Sequence, residues 1–161
     1  MRVASTSPPR FRIHLLGRFQ LLRDGEAVPE KQIGSKKGRT LLKLLAVNAG
    51  TSVPVDRIVD ALWASAPPAR AEENVATLVS RLRAVIGAGA IEGGRHAYSL
   101  VLGPLLEVDL GEAERLAAES EARLARSEPT LARVAAERAT RLLGAGELLA
   151  EEPDAAWADD A

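Results

Sequence analysis

The chain has 161 residues, 47% of them hydrophobic and 27% charged, which is the composition of a folded globular protein and excludes a fibrous repeat or a charged disordered tail. It contains no cysteine, which excludes disulfides and thiolate metal sites, and no apolar run nears the ~20 residues of a membrane span, so the expectation is a soluble cytoplasmic protein. The net charge of −1 hides a division: residues 1–103 hold 15 Lys/Arg against 8 Asp/Glu, a net of +7, whereas residues 104–161 hold 6 against 14, a net of −8. Such an asymmetry points to a polyanion partner for the first part and fits solvated helices in the second.

After a Pro-containing leader, Phe11, Ile13 and Leu15 alternate with Arg12 and His14, and Phe19 and Leu21 resume the period after Gly17, as half-buried strands do. Asp24-Gly25 is a two-residue turn signal, so Glu26–Val28 is expected to return antiparallel. From Ser35, a ready N-cap, the period becomes helical through Leu41, Leu42, Leu44 and Leu45, and Asn48-Ala49-Gly50 stops it. A second helix follows Pro54 on the i, i+3, i+4, i+7 pattern of Val55, Ile58, Val59 and Leu62, and ends before Pro67-Pro68. A third is expected over about 71–86, with Val75, Leu78, Val79, Leu82 and Ile86 on one face and Asn74, Thr77, Ser80, Arg81 and Arg83 largely off it. Ile91, the Gly93-Gly94 turn and alternating Tyr98, Leu100 and Leu102 form a hairpin. Beyond Gly103-Pro104, Asp109 with Glu112 resembles a capping box opening a helix to about Arg126, and Thr130 is placed to cap another carrying Leu131, Val134, Ala135, Arg138 and Leu142. Two such helices with one apolar stripe each cannot form their own core, so they must pack on the first part, on another chain, or on further residues.

The first 103 residues therefore describe an α+β scaffold of an N-terminal antiparallel sheet, three helices and a C-terminal hairpin. Its third helix has one side free for a groove. The major groove of duplex DNA admits one helix and distinguishes base edges through bidentate Arg on guanine and Asn on adenine, groups that Arg81, Arg83 and Asn74 supply, with Thr77 and Ser80 as short hydroxyl contacts. Lys36, Lys37 and Arg39 open the first helix, where the free N–H groups and the dipole favour a phosphate, and Arg95 at the hairpin tip is suited to an adjacent minor groove or the backbone. Taken singly, each cation is more often a solvated group or a surface ion-pair partner of Glu72, Glu73 or Glu92. Their convergence favours double-stranded DNA binding over a winged-helix module that only binds protein. If about five phosphates are neutralised, log K falls against log salt with a slope of about −4 to −5.

Enzymatic readings find little support. His14 and His96 are isolated, there is no HExxH pair, Walker or dinucleotide glycine loop, and Gly87-Ala88-Gly89 follows a helix rather than a strand, so no metal, cofactor or catalysis is expected. Trp63 reads as a core plug and Tyr98 as hairpin packing, and with so few aromatics a single-stranded nucleic acid is a poor target.

Lys37-Gly38-Arg39-Thr40-Leu41-Leu42, Asn48-Ala49-Gly50, Val55-Asp56-Arg57-Ile58-Val59-Asp60-Ala61-Leu62-Trp63 and Val79-Ser80-Arg81-Leu82-Arg83 occur in an order and spacing that resemble the OmpR/PhoB-type winged helix-turn-helix of the Streptomyces antibiotic regulatory proteins (SARPs). The resemblance runs from Phe11 to about Leu102. Val108–Glu114 and Trp157-Ala158 resemble the start of the bacterial transcriptional activator domain, a longer tetratricopeptide-like helical array, so the resemblance implies a winged-helix domain at 11–103 and the opening part of that array at 108–161. It further implies a transcription activator that binds promoter direct repeats as a dimer and contacts RNA polymerase near Ser65–Arg70. Two features depart from the family: Ala97 stands where glycine is usual in the wing, and Glu72-Glu73 put negative charge at the start of the groove-facing helix.

Overall fold

The computed structural model describes Pro8, residues 10–151 and Trp157. The rest of the leader, most of the acidic tail and Ala158 lie outside the described residues. Strand β1 (Phe11–His14) pairs antiparallel with β2 (Gln20–Arg23), which pairs with β3 (Glu26–Ala27). The turn between β2 and β3 has φ of 51° at Asp24 and 87° at Gly25, the two left-handed conformations that the Asp-Gly pair supplies. Two elements then appear that hydropathy did not foretell: a one-turn helix α1 (Glu30–Ile33) and, ahead of the second long helix, a two-residue strand β4 (Val53–Pro54). Helix α2 (Lys36–Val47) starts at Ser35, whose Oγ accepts from Gly38 N at 3.2 Å, as expected of an N-cap. Helices α3 (Val55–Trp63) and α4 (Ala71–Ile86) match the amphipathic segments. A single 3₁₀ turn at Ala88–Ala90 leads into the hairpin of β5 (Ile91–Gly93) and β6 (Ala97–Leu100), and β4 pairs with β6 to give the order β4-β6-β5.

One aliphatic core unites these elements. Ile13, Leu15 and Leu21 from the first sheet, Leu41, Leu42, Leu44 and Leu45 from α2, Ile58 from α3, Val75, Val79 and Leu82 from α4, and Leu100 from β6 are all buried. Each such side chain contributes about 1.5–3 kcal/mol relative to exposure, so the stripes dictate how the helices turn. Tyr98 is buried in the hairpin, and Trp63 packs half-buried against the core, the places expected of them.

The region after residue 103 departs furthest from expectation. Leu106–Val108 form a strand, β7, parallel to β1, and complete a sheet of order β3-β2-β1-β7. Helix α5 (Asp109–Ala125) follows directly and packs on β1 and β7. Asp109 is not half of a capping box: it is buried, and its carboxylate accepts from Leu15 N (2.9 Å), Leu16 N (3.1 Å) and Leu110 N (2.8 Å), joining α5 to the end of β1. Glu112, the supposed partner, instead pairs with Arg12 and lies 3.7 Å from Arg138. Helix α6 (Pro129–Leu143) begins with Pro129 in its first turn and Glu128 before it, so Thr130 does not cap it. Pro at this position costs no hydrogen bond, because the first-turn N–H groups have no helical acceptor. On α6 the buried residues are small, Ala132, Ala135 and Ala139, and on α5 they include Ala113 and Leu116, while Leu131 and Val134, expected inward, are exposed. At their junction the Arg123 guanidinium is held above its ordinary pKa, chiefly by its hydrogen bond to Glu128 and then by that carboxylate's charge.

After α6 the chain comes back to the sheet. Gly17 N donates to Glu147 O, Leu149 N to Leu15 O, and Ala150 N to Gly17 O, at 2.8, 2.8 and 3.1 Å. This return needs glycine, since a Cβ on Gly17 (φ +80°) would lie 2.8 Å from Ala145 O. Leu149 is buried in the common core, and Trp157 packs half-buried on it.

Candidate nucleic-acid interface

The nine residues expected to meet DNA divide into those whose polar groups the protein itself uses and those it leaves open. Asn74, Thr77, Ser80 and Arg81 are exposed on α4. At about 100° per residue, Asn74 and Arg81 fall on one line two turns apart, on the flank beside Leu78, with Thr77 and Ser80 further round the solvent side. Leu78 faces the start of α2: a Cβ placed on Gly38 would sit 3.8 Å from its Cδ2. The Asn74–Arg81 flank therefore borders the N-terminal end of α2, where Lys36 is exposed with no side-chain hydrogen bond or ion pair among the described residues. Arg81 is likewise exposed and unpaired among the described residues, as is Arg95 at the hairpin tip. Thr77 Oγ donates to Glu73 O at 3.0 Å, leaving its lone pairs free to accept.

Lys37 and Arg39 are placed otherwise. Lys37 Nζ donates to Leu62 O at 2.5 Å and stands 5.0 Å from the Trp63 ring centroid, so it ties the start of α2 to the carbonyl end of α3, where unpaired C=O groups and the dipole favour a cation. Arg39 donates to Gly34 O at 2.8 Å and reaches Glu30 at 3.4 Å, bracing the link from α1 to α2. Arg83 lies two residues from Arg81, on the opposite flank of α4, and is directed at the hairpin: Nε donates to Ile91 O at 2.9 Å, Nη2 to Gly93 O at 3.3 Å, and the guanidinium lies 5.9 Å from the Tyr98 ring centroid. That offset was legible in the sequence, because positions two apart on a helix cannot face the same way.

The two departures from the family pattern also find their place. Ala97 sits in β6 opposite Pro54, and the close approach in the hairpin falls on Gly93 (φ +111°), where a Cβ would lie 2.1 Å from Ala97 O. Glycine is needed at Gly93, whereas Ala97 keeps an ordinary φ that accepts a Cβ. Glu72 and Glu73 occupy the first turn of α4, where the helix dipole favours them, and Glu73 is 3.4 Å from Arg70. Among the described residues no group of three or more His, Asp or Glu is arranged to hold a metal ion, and no helix is long and apolar enough to cross a membrane.

The arrangement has known counterparts. Residues 30–95, from α1 to the hairpin tip, match the family model described as "Transcriptional regulatory protein, C terminal". Over 92 residues (57% of the chain) the sequence is 35% identical to the transcriptional regulatory protein EmbR of Mycobacterium tuberculosis, and over 145 residues (88% of the chain) it is 34% identical to the regulatory protein AfsR of Streptomyces coelicolor. Over 133 residues (74% of the chain) it is 33% identical to the regulatory protein DnrI of Streptomyces peucetius. The chain spans 23% of EmbR, 14% of AfsR and 47% of DnrI. A solved structure of M. tuberculosis EmbR in complex with a low affinity phosphopeptide superposes with a TM-score of 0.78 at 26% identity, covering 95% of this chain and 41% of that one. With its α+β winged-helix architecture and its matched helices and hairpin, the segment 30–95 is a transcriptional regulatory domain of the OmpR/PhoB type, and the chain is similar to regulators of the SARP type.

Proposed function

We propose that this chain binds double-stranded DNA sequence-specifically, as the DNA-reading part of a transcription activator and not as an enzyme. The observation that carries the reading is the solvent face of α4, where Asn74, Thr77, Ser80 and Arg81 stand exposed beside Lys36 of α2, which is unpaired among the described residues. In the major groove Arg81 has the donors for guanine O6 and N7, and Asn74 the donor and acceptor for adenine. Lys36 and the free amides opening α2 take a phosphate, and Arg95 takes the neighbouring backbone or minor groove. Lys37, Arg39 and Arg83 support these elements from within the fold, so they shape the surface rather than supply its open charges.

On the family's pattern, 11–103 is the DNA-binding domain and 108–161 the opening of a helical activator domain. The chain binds direct repeats as a dimer in the cytoplasm, and the loop from Ser65 to Arg70 meets RNA polymerase. That loop supports the assignment by its exposure: Pro67, Pro68 and Arg70 line a shallow cleft of about 350 Å³ with Asp56, Glu72 and Glu73.

Selection of bound duplexes from a random library tests the reading, followed by titration of the selected site with variants. Asn74→Ala and Arg81→Ala should each cost about 1–3 kcal/mol on the selected sequence and relax preference at one base pair. Recovery of no enriched duplex at low salt, or full affinity in the double variant, would reject it.

A further inference from the structure

We infer that Arg83 is the positioning residue that fixes the wing, the β5–β6 hairpin, against α4, so that the groove-facing helix and Arg95 meet DNA as one rigid unit. The inference rests on the DNA-binding reading above. In the sheet order β4-β6-β5 the strand β5 is an edge, and its outward carbonyls have no ladder partner. Carbonyls of residues two apart on a strand point the same way. Ile91 and Gly93 are such a pair, and Arg83 donates to both, from Nε and Nη2. A planar guanidinium can satisfy two acceptors at once, which a lysine ammonium, a single compact charge, does not reproduce. Arg83 thus stands where a further strand would, while its guanidinium lies near the ring of Tyr98 on the other strand of the wing.

The wing needs such a brace. Its strands are three and four residues long, and an isolated hairpin of that size is marginal in water. Its tip departs from ordinary backbone at Gly93 (φ +111°) and is closed by a hydrogen bond from Gly94 N to Ala97 O of 3.0 Å. Arg95, exposed and unpaired among the described residues, stands on that tip. Its placement relative to Arg81 is therefore set through Arg83.

The test uses the full chain as wild type, Arg83→Ala, Arg83→Lys, Arg95→Ala and the Arg83→Ala/Arg95→Ala pair. In the free protein, amide hydrogen exchange should quicken at Gly94 and at Val55, whose N–H donates to His96 O, in both Arg83 variants, while the amides of α2 keep their protection. On a duplex selected by the wild type, Arg83→Ala and Arg95→Ala should each weaken binding about tenfold, and the pair also about tenfold rather than a hundredfold, because both remove the same contact. Arg83→Lys should behave as Arg83→Ala. A hundredfold loss in the pair with unchanged wing exchange would mean that Arg83 touches DNA itself and would overturn the inference. So would full rescue by lysine, or loss of α2 protection together with the wing's. Should the wild type bind no duplex, the DNA-binding reading fails, while the exchange measurements still decide whether Arg83 holds the wing.

Discussion

Asp109 offers the sharpest test of how the acidic half is attached. In Asp109→Ala the N–H groups of Leu15 and Leu16 lose their acceptor at a place where both residues are buried, 0% and 7% exposed. Each orphaned N–H costs about 1–3 kcal/mol, and loss of a carboxylate from the first turn of α5 adds about 0.3–1 kcal/mol through the helix dipole. The third bond, to Leu110 N, is half-buried, and water can replace it. The expected loss is about 3–5 kcal/mol, a large share of the ~5–15 kcal/mol that holds a domain together. Asp109→Asn keeps one acceptor oxygen but turns an amide donor toward the second N–H, so about half that loss is expected. Urea unfolding followed by far-UV circular dichroism measures both variants, provided the denaturant slope matches the wild type. A loss below about 1 kcal/mol in Asp109→Ala would show that water satisfies both amides, and the carboxylate would then not be what secures α5 to β1.

Ser35→Ala removes the cap of α2 and should cost about 1 kcal/mol in a thermal or urea melt, with Gly38 N exchanging faster. Gly17→Ala should destabilise by about 2 kcal/mol or more, because the left-handed φ of +80° and the 2.8 Å approach to Ala145 O both oppose a Cβ; protease cleavage appearing after residue 143 would mark the loosened return. The salt dependence of DNA binding separates open from engaged cations: with Lys36 and Arg95 as the phosphate partners and Arg81 on a base, the slope of log K against log salt should be about −2 per chain, and a slope of about −4 would mean that Lys37 and Arg39 leave their internal partners on binding.

Periodicity located the long elements because each lies across a boundary between core and solvent. The leucines of α2, the Val55–Leu62 stripe of α3 and the Val75–Ile86 face of α4 all record that boundary directly, and the caps and glycines record where it ends. What periodicity missed lacks such a record. A single turn such as α1 has no repeat, and β4 holds two residues against β6. Strand β7 is preceded by Gly103-Pro104, a turn signal, and its pairing with β1 spans some ninety residues that no local window sees. In α6 the pattern misled because the buried contact is made by alanines: two helices approaching closely through Ala132, Ala135 and Ala139 leave the larger Leu131 and Val134 outside. The site was legible as a set of residue types, and its division only in part. Free Arg81 and engaged Arg83 look alike in sequence, and only their angular offset on the helix separates them.

The placement of the acidic half follows from the same geometry. Residues Leu15–Gly17 accept both ends of the segment from 109 to 150: Asp109 binds the amides of Leu15 and Leu16, and the chain beyond α6 pairs with Leu15 and Gly17. A helical pair anchored at entry and exit to one strand end cannot swing as a pendant on a linker would. Three carboxylates of this half are matched there as well, since Arg12 of β1 pairs with Glu107 and Glu112, and Arg18 with Glu151 at 3.2 Å. These carboxylates are thus neutralised on the sheet and are not spent on the cations of α2 and α4. A protein masked by its own acidic tail would bind DNA more tightly once the tail were cut away. Here the cut at residue 104 also removes β7 from the sheet and the acceptor from the Leu15 and Leu16 amides, so the shortened chain should melt earlier than the whole and gain no affinity for the selected duplex. Tighter binding by a stably folded 1–103 fragment would contradict this.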